Sequence, residues 1–209
     1  VDNLLDAGHA SYVHESTLGA PLWQLGDGVA AEENTRFEFD VSDRGIHYHY
    51  AAQDTVTGPA FAQAYARKKG LAKAPDRLDI DLDVQWAAPS VFIFSSVTRA
   101  PGEMPEDGIG LINIHALTPA ARRSTHYFFR NGYRYQATDQ AFREFWHGMA
   151  TRAFHEDKHI IEAQQQALGD SDVFDHELVS YPGDGLQFQG RRILTRLASE
   201  EQPDSALNG

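Results

Sequence analysis

His9 and His14 stand five residues apart, behind two carboxylates, Asp2 and Asp6, that are four apart. Far along the chain a second polar cluster, His155-Glu156-Asp157-Lys158-His159, interrupts an otherwise apolar helical pattern. Two imidazoles and one carboxylate around a divalent cation leave coordination positions open, which is the ligand set of a non-haem ferrous oxygenase. The spacing makes a structural demand. On an ideal helix Asp6 and His9 share a face. His9 and His14 are rotated by about 140° at 3.6 residues per turn, so a straight helix cannot aim both at one ion. A helix over residues 2–9 must therefore end or bulge between Gly8 and Ser11.

The third ligand must come from elsewhere, and Glu156, Asp157 and Glu162 are the candidates. Asp157 follows Phe154 by three residues and precedes Ile160 by three, so it falls on the apolar stripe. An unpaired carboxylate there is costly, and a cation would remove the cost. A salt bridge to an arginine, or an outward rotation of the helix, would do so too. Glu156 and Lys158, to either side, are expected to face water.

The elements that must position these groups are legible in outline. Residues 2–9 read as helix around Leu4 and Leu5, and residues 12–28 as a loop punctuated by Gly19, Pro21, Gly26 and Gly28. Phe37, Phe39 and Val41 alternate with acidic residues, and after the turn 42–45 Ile46, Tyr48 and Tyr50 alternate again, a hairpin signal. Residues 59–70 read as a helix ending in Arg67-Lys68-Lys69-Gly70. Residues 78–84 have one aliphatic and one acidic face, as in a sheet with one wet side. Strands follow at 91–98, 108–117 and 123–130. From Thr138 or Asp139, either of which can cap it, a helix of about 30 residues runs to about Leu168. Its stripe is Phe142, Phe145, Trp146, Met149, Phe154, Ile160, Ile161 and Ala163. A short helix at 191–197 precedes a tail, 200–209, expected to be disordered. The economical architecture is α+β: a twisted antiparallel sheet packed around a long C-terminal helix, the helix-grip or START-like arrangement.

Composition narrows the function. The chain of 209 residues fits one large domain or two small ones. It has no cysteine, so thiolate zinc sites and iron–sulfur clusters held by this segment are out. A net charge of −12 argues against nucleic-acid binding. No apolar run is long enough to span a membrane. No secretory leader is visible, and a cytoplasmic location is expected.

The chain resembles the catalytic domain of the oxygenase (α) subunit of Rieske-type non-haem iron oxygenases, in the vanillate O-demethylase-like branch. Asp2, Asp6, His9 and His14 fill each position of the family's acidic-Asp-His-His motif. The run from Glu156 to Gln165, His115-Ala116-Leu117-Thr118-Pro119 and His126-Tyr127-Phe128-Phe129 are similar to later family segments, in the family's order. The resemblance implies a mononuclear Fe(II) held by His9, His14 and Asp157. It implies that Asp6 hydrogen-bonds a ligand histidine and passes electrons from a neighbouring subunit's two-iron two-sulfur Rieske cluster. Asp2 and Asn3 would be supporting groups behind the ligands. The Rieske domain, with its cysteines, would lie outside this chain, making residues 1–209 a single catalytic domain. Small aromatic substrates, O₂, a ferredoxin or flavin reductase as electron donor and a homotrimer are the implied partners, and O-demethylation or methyl hydroxylation the implied reaction.

The substrate pocket is expected between the sheet and the long helix, with Phe92, Phe94, Ile112, Ile114, Phe128 and Trp146 as candidate walls. His115, and less strongly His126, are candidates to hydrogen-bond a substrate carboxylate or phenol. His47, His49, His147, His155, His159 and His176 are expected to be non-ligands. A helix-grip module that merely encloses a hydrophobic ligand, or a zinc hydrolase using the same three ligands, would be the alternatives.

Overall fold

The computed structural model describes residues 1–6, 8–20, 34–135, 139–171, 173–177, 179 and 182–201. Two short helices open the chain, α1 (Asp2–Leu5) and α2 (Ala10–Val13). Six strands follow: β1 (Thr35–Ser42), β2 (Gly45–Val56), β3 (Arg77–Ala87), β4 (Val91–Arg99), β5 (Ile109–Ala121) and β6 (Ser124–Arg134). The helix α3 (Pro59–Lys69) sits between β2 and β3. Two long helices, α4 (Gln140–Leu168) and α5 (Gly185–Glu201), close it.

The six strands form one antiparallel sheet in the order β1 to β6, each paired with its sequence neighbour. This α+β helix-grip arrangement is the one expected from the alternating strands and the single long apolar helix. The acidic face of β3 is the wet one. Asp81 pairs with Arg99, and Asp83 lies 2.6 Å from His47. Asp79 differs: it is buried and accepts the backbone N–H of Asp54 at 2.8 Å, where β2 bulges between Ala52 and Thr55.

The dry face carries two clusters. One joins Leu5 of α1 and Leu186, Ile193 and Leu197 of α5 to Ile46, Tyr48, Val84, Trp86 and Phe92. The other joins Ala60, Ala64 and Tyr65 of α3 and Phe142 and Trp146 of α4 to Leu78, Ile109 and Leu111. Helix α4 begins as expected, with the Asp139 carboxylate accepting the Phe142 N–H at 2.7 Å. Thr138, the alternative cap, lies outside the described residues.

Four expectations need correction. The helix expected over residues 2–9 stops at Leu5, because Asp6 turns to an extended backbone (φ −88°, ψ 95°), and a separate turn of helix, Ala10–Val13, runs into the start of the expected loop. Residues 21–28 of that loop lie outside the described set. The apolar stripe of α4 is buried only through Asp157; Ile160 and Ile161 are 54% and 45% exposed, and neither joins the two core clusters. The closing helix spans 17 residues rather than 7 and packs on α1. A Cβ built on Gly190 would stand 2.5 Å from Leu5 Cδ1, so this glycine is what lets the two helices approach. Of the tail, 202–209 lie outside the described residues. Among the described residues no helix is long and apolar enough to cross a membrane.

Candidate metal centre

His9, His14 and Asp157 each bring a ligand atom within 4.8 Å of the others, and among the described residues they are the one such group of three. The break at Asp6 makes this possible. The Asp6 carboxylate accepts the backbone N–H groups of Gly8 (2.8 Å) and His9 (3.1 Å), which folds the chain back after α1. His9 then precedes α2, and His14 ends it with φ −109°. The two rings meet edge to face, with centroids 5.2 Å apart. Each turns Nε2 toward Asp157 Oδ1, at 3.4 Å from His9 and 3.2 Å from His14.

The other nitrogen of each ring is anchored. His9 Nδ1 lies 2.5 Å from the carbonyl oxygen of Asp6, and His14 Nδ1 lies 2.9 Å from Glu156 Oε2. A ring N–H donated to such an acceptor leaves the Nε2 lone pair for a cation and fixes the ring's orientation. Glu156 is itself held by Ser16 Oγ and Thr17 Oγ1, both at 2.7 Å. Thr17 is buried, and its carbonyl accepts the Ala60 N–H at the start of α3. Asn3 Nδ2 donates to Asp157 Oδ1 at 2.9 Å.

The carboxylates are balanced by imidazole protons that a cation would replace. Burial alone would raise the Asp157 pKa, but the bonds from His14, His9 and Asn3 hold it far below the usual carboxylate range. Burial alone would lower the His14 pKa, but its bonds to Asp157 and Glu156 raise it instead. Two adjacent carboxylates facing two imidazoles favour added positive charge, and three N and O donors suit Fe(II), with Zn(II) the commoner competitor.

Several sequence expectations meet a different geometry. Glu156 was expected in water; it is partly buried and bonds His14. It sits next to Asp157 in the same acidic cluster, but nothing local announces a partner 142 residues away. The Asp6 group that bonds the His9 ring is its backbone carbonyl, while the carboxylate serves the turn. Asp2 binds Arg191 of α5, at 2.6 and 2.9 Å.

On the dry face, His115 is buried, with Nδ1 2.6 Å from the Tyr127 hydroxyl and rings of Phe94 and Phe154 against it at 4.8 and 5.3 Å. Burial pushes its pKa down to about 4, against the pull of the Asp157 charge. Trp146 is fully buried at the α3–α4–β5 junction. Phe92 stacks on Trp86 in the other cluster and is core rather than wall. Ile112, Ile114, Phe128 and His126 are not walls at all. Ile114 pairs with Ile93 and Arg130, so strand alternation puts all four on the outer face, where Phe128 is 60% exposed.

Known proteins share this fold and part of this sequence. The dicamba monooxygenase crystal structure with 3,6-dichlorosalicylic acid superposes with a TM-score of 0.75 at 23% identity, over 96% of this chain and 55% of that one. A putative toluene-4-sulfonate monooxygenase iron–sulfur subunit from Comamonas testosteroni is 29% identical over 99% of this chain and 57% of its own length. The vanillate O-demethylase oxygenase subunit of a Pseudomonas strain is 27% identical over 99% of this chain and 57% of its own. The chain thus spans a little over half the length of these curated relatives. The family model of the vanillate O-demethylase oxygenase C-terminal domain matches residues 1–200, and the chain belongs to that family.

Proposed function

We propose that this chain is the catalytic portion of a Rieske-type terminal oxygenase, holding one Fe(II) through His9, His14 and Asp157. The observation that carries the reading is the convergence of those three side chains, drawn from opposite ends of the sequence, on one point. Fe(II) in such a set, with open positions, supplies O₂ activation for oxidising a nearby aromatic substrate, by O-demethylation or methyl hydroxylation.

The chain's own groups prepare the site. Glu156 and the Asp6 carbonyl take the outward ring protons of His14 and His9, presenting both Nε2 lone pairs. Asn3 orients the Asp157 carboxylate. Asp6 is partly exposed, and in this reading it is the residue that meets the electron-delivering domain. His115 is neutral at physiological pH and Tyr127 is kept protonated by burial. A Tyr127 O–H donated to His115 Nδ1 leaves the Nε2–H of His115 for a polar substrate group. Phe94 and Trp146 would flank the ring and exclude water. A two-iron two-sulfur Rieske cluster outside this chain, a ferredoxin or flavin reductase, a homotrimer and a cytoplasmic setting complete the reading.

Anaerobic loading with Fe(II) followed by metal analysis tests it. One iron per chain is expected, and none in His9→Ala, with the far-ultraviolet circular dichroism of the variant unchanged. Iron content that is substoichiometric, or the same in His9→Ala, would overturn it.

A further inference from the structure

The two imidazoles of the metal centre differ in what stands behind them. His9 Nδ1 faces the neutral carbonyl oxygen of Asp6, whereas His14 Nδ1 faces the carboxylate of Glu156. Glu156 and Asp157 are consecutive on α4, and the buried His14 ring spans them. Its Nε2 lies 3.2 Å from Asp157 Oδ1 and its Nδ1 2.9 Å from Glu156 Oε2.

Glu156 accepts two further hydrogen bonds. Thr17 Oγ1 donates to Oε2, the same oxygen that takes the His14 ring proton, and Ser16 Oγ donates to Oε1. An ionised carboxylate has no proton to give, so both hydroxyls are donors here. Thr17 is fully buried, so solvent cannot replace its hydroxyl, while Ser16 is exposed. Thr17 is also fixed without help from a metal. Its N–H donates to the His14 carbonyl at 2.9 Å, and its own carbonyl accepts the Ala60 N–H at 2.9 Å. Gly58, just before α3, comes so close that a Cβ there would stand 2.1 Å from the Leu18 carbonyl oxygen. The turn and α3 therefore place the hydroxyl in advance.

Two opposed effects meet at Glu156 Oε2. A carboxylate that accepts a ligand's ring N–H makes that imidazole a stronger donor to the metal. Added negative charge favours the more highly charged oxidation state, here Fe(III) over Fe(II). A hydroxyl donated to the same oxygen draws charge from it and lessens that pull, and bonds to an ionised acceptor are among the strong ones. We infer that Glu156 and Thr17 are positioning residues of opposite sign that act through His14: Glu156 lowers the Fe(III)/Fe(II) midpoint potential of the site, and Thr17 raises it. The inference deepens the oxygenase reading and rests on it for the identity of the metal. It adds a means of setting the potential with groups that do not touch the metal.

Redox titration of the iron-loaded chain with soluble mediators, followed by the electron paramagnetic resonance of high-spin Fe(III), reads the potential. Glu156→Gln, loaded with excess Fe(II) to offset its weaker affinity, is expected to shift it upward. Thr17→Val, close in size but without the hydroxyl, is expected to shift it downward at one iron per chain. Thr17→Ser is expected to restore the wild-type value. Ser16→Ala is expected to shift it downward by less than Thr17→Val, because water reaches that position. A role confined to holding the loop would move Glu156→Gln and Thr17→Val the same way, or neither. Shifts of the same sign in those two variants, an unmoved potential in Thr17→Val, or a Thr17→Ser chain that behaves like Thr17→Val would overturn the inference. Should Thr17→Val fail to fold, Ser16→Ala set against Glu156→Gln makes the same comparison of sign. A wild-type chain that takes up no iron overturns the oxygenase reading and this inference together, whereas normal iron content with shifts of one sign overturns the inference alone.

Discussion

The candidate site is assembled from two regions built on opposite principles. Helix α4 is long and regular; its buried side, Phe142, Trp146, Ala150 and Ala153, leads straight to Asp157. Residues 2–19 have two helical turns of four residues each, too short to persist alone, and are held by specific bonds instead. Asn3 bonds Asp157, Ser16 and Thr17 bond Glu156, and Asp2 bonds Arg191. Gly19 packs so tightly on α2 that a Cβ there would stand 1.9 Å from the Ala10 carbonyl oxygen. One ligand is thus fixed by packing and two by polar contacts. The difference teaches that stability and metal affinity should be separable in this chain.

Substitutions on the packed side should cost stability first. Trp146→Ala removes a fully buried indole from the α3–α4–β5 junction and should destabilise by roughly 3–5 kcal/mol, read as a lower denaturant midpoint. A cost well under that would mean α4 is held by something other than its core face.

His115 offers a pH test of the same scaffold. Its folded pKa, about 4, lies below the ordinary value of 6.5, so the unfolded chain binds more protons between the two. Stability should therefore fall as pH drops through that window, by up to about 3 kcal/mol at pH 4. His115→Gln should flatten the profile. Equal pH dependence in both proteins would show that the imidazole is not kept neutral by burial.

On the polar side the order reverses. Glu156→Gln should weaken metal binding by roughly 10–100-fold, the usual cost of losing a group that orients a ligand imidazole, with little change in thermal midpoint. A large loss of stability with unchanged affinity would instead make Glu156 a clamp between α4 and the turn at residues 14–17. At the far end of α4, Ile160→Ser should stay within about 0.5 kcal/mol of wild type. A larger cost would mean that another surface covers this exposed end.

The same contrast explains how much the sequence discloses. The strands announce themselves by period-two alternation, and α4 by its stripe and the Asp139 cap. His9, His14 and a candidate Asp157 stand out by residue type and by the apolar positions around Asp157, but it is the family resemblance that sets Asp157 above Glu156 and Glu162. What was hidden is either aperiodic or distant in sequence. The turn at Asp6 is made by a side chain bonding backbone two and three residues on, which leaves no periodic trace. The partners of Glu156 and Asn3 lie more than 130 residues away in sequence. Ile160 and Ile161 continue the apolar pattern of α4 beyond its buried part, and no local signal marks that boundary. Gly185 and Gly190 mask the first turns of α5, although Gly190 is there to let α1 approach.

The most direct test of the central claim is X-ray absorption fine structure at the iron edge of the anaerobically loaded chain. The account expects outer-shell scattering from two imidazoles in the wild type and from one in His14→Ala. Scattering that is unchanged in His14→Ala, or that is lost instead on replacing the outer-face residue His47, would contradict it.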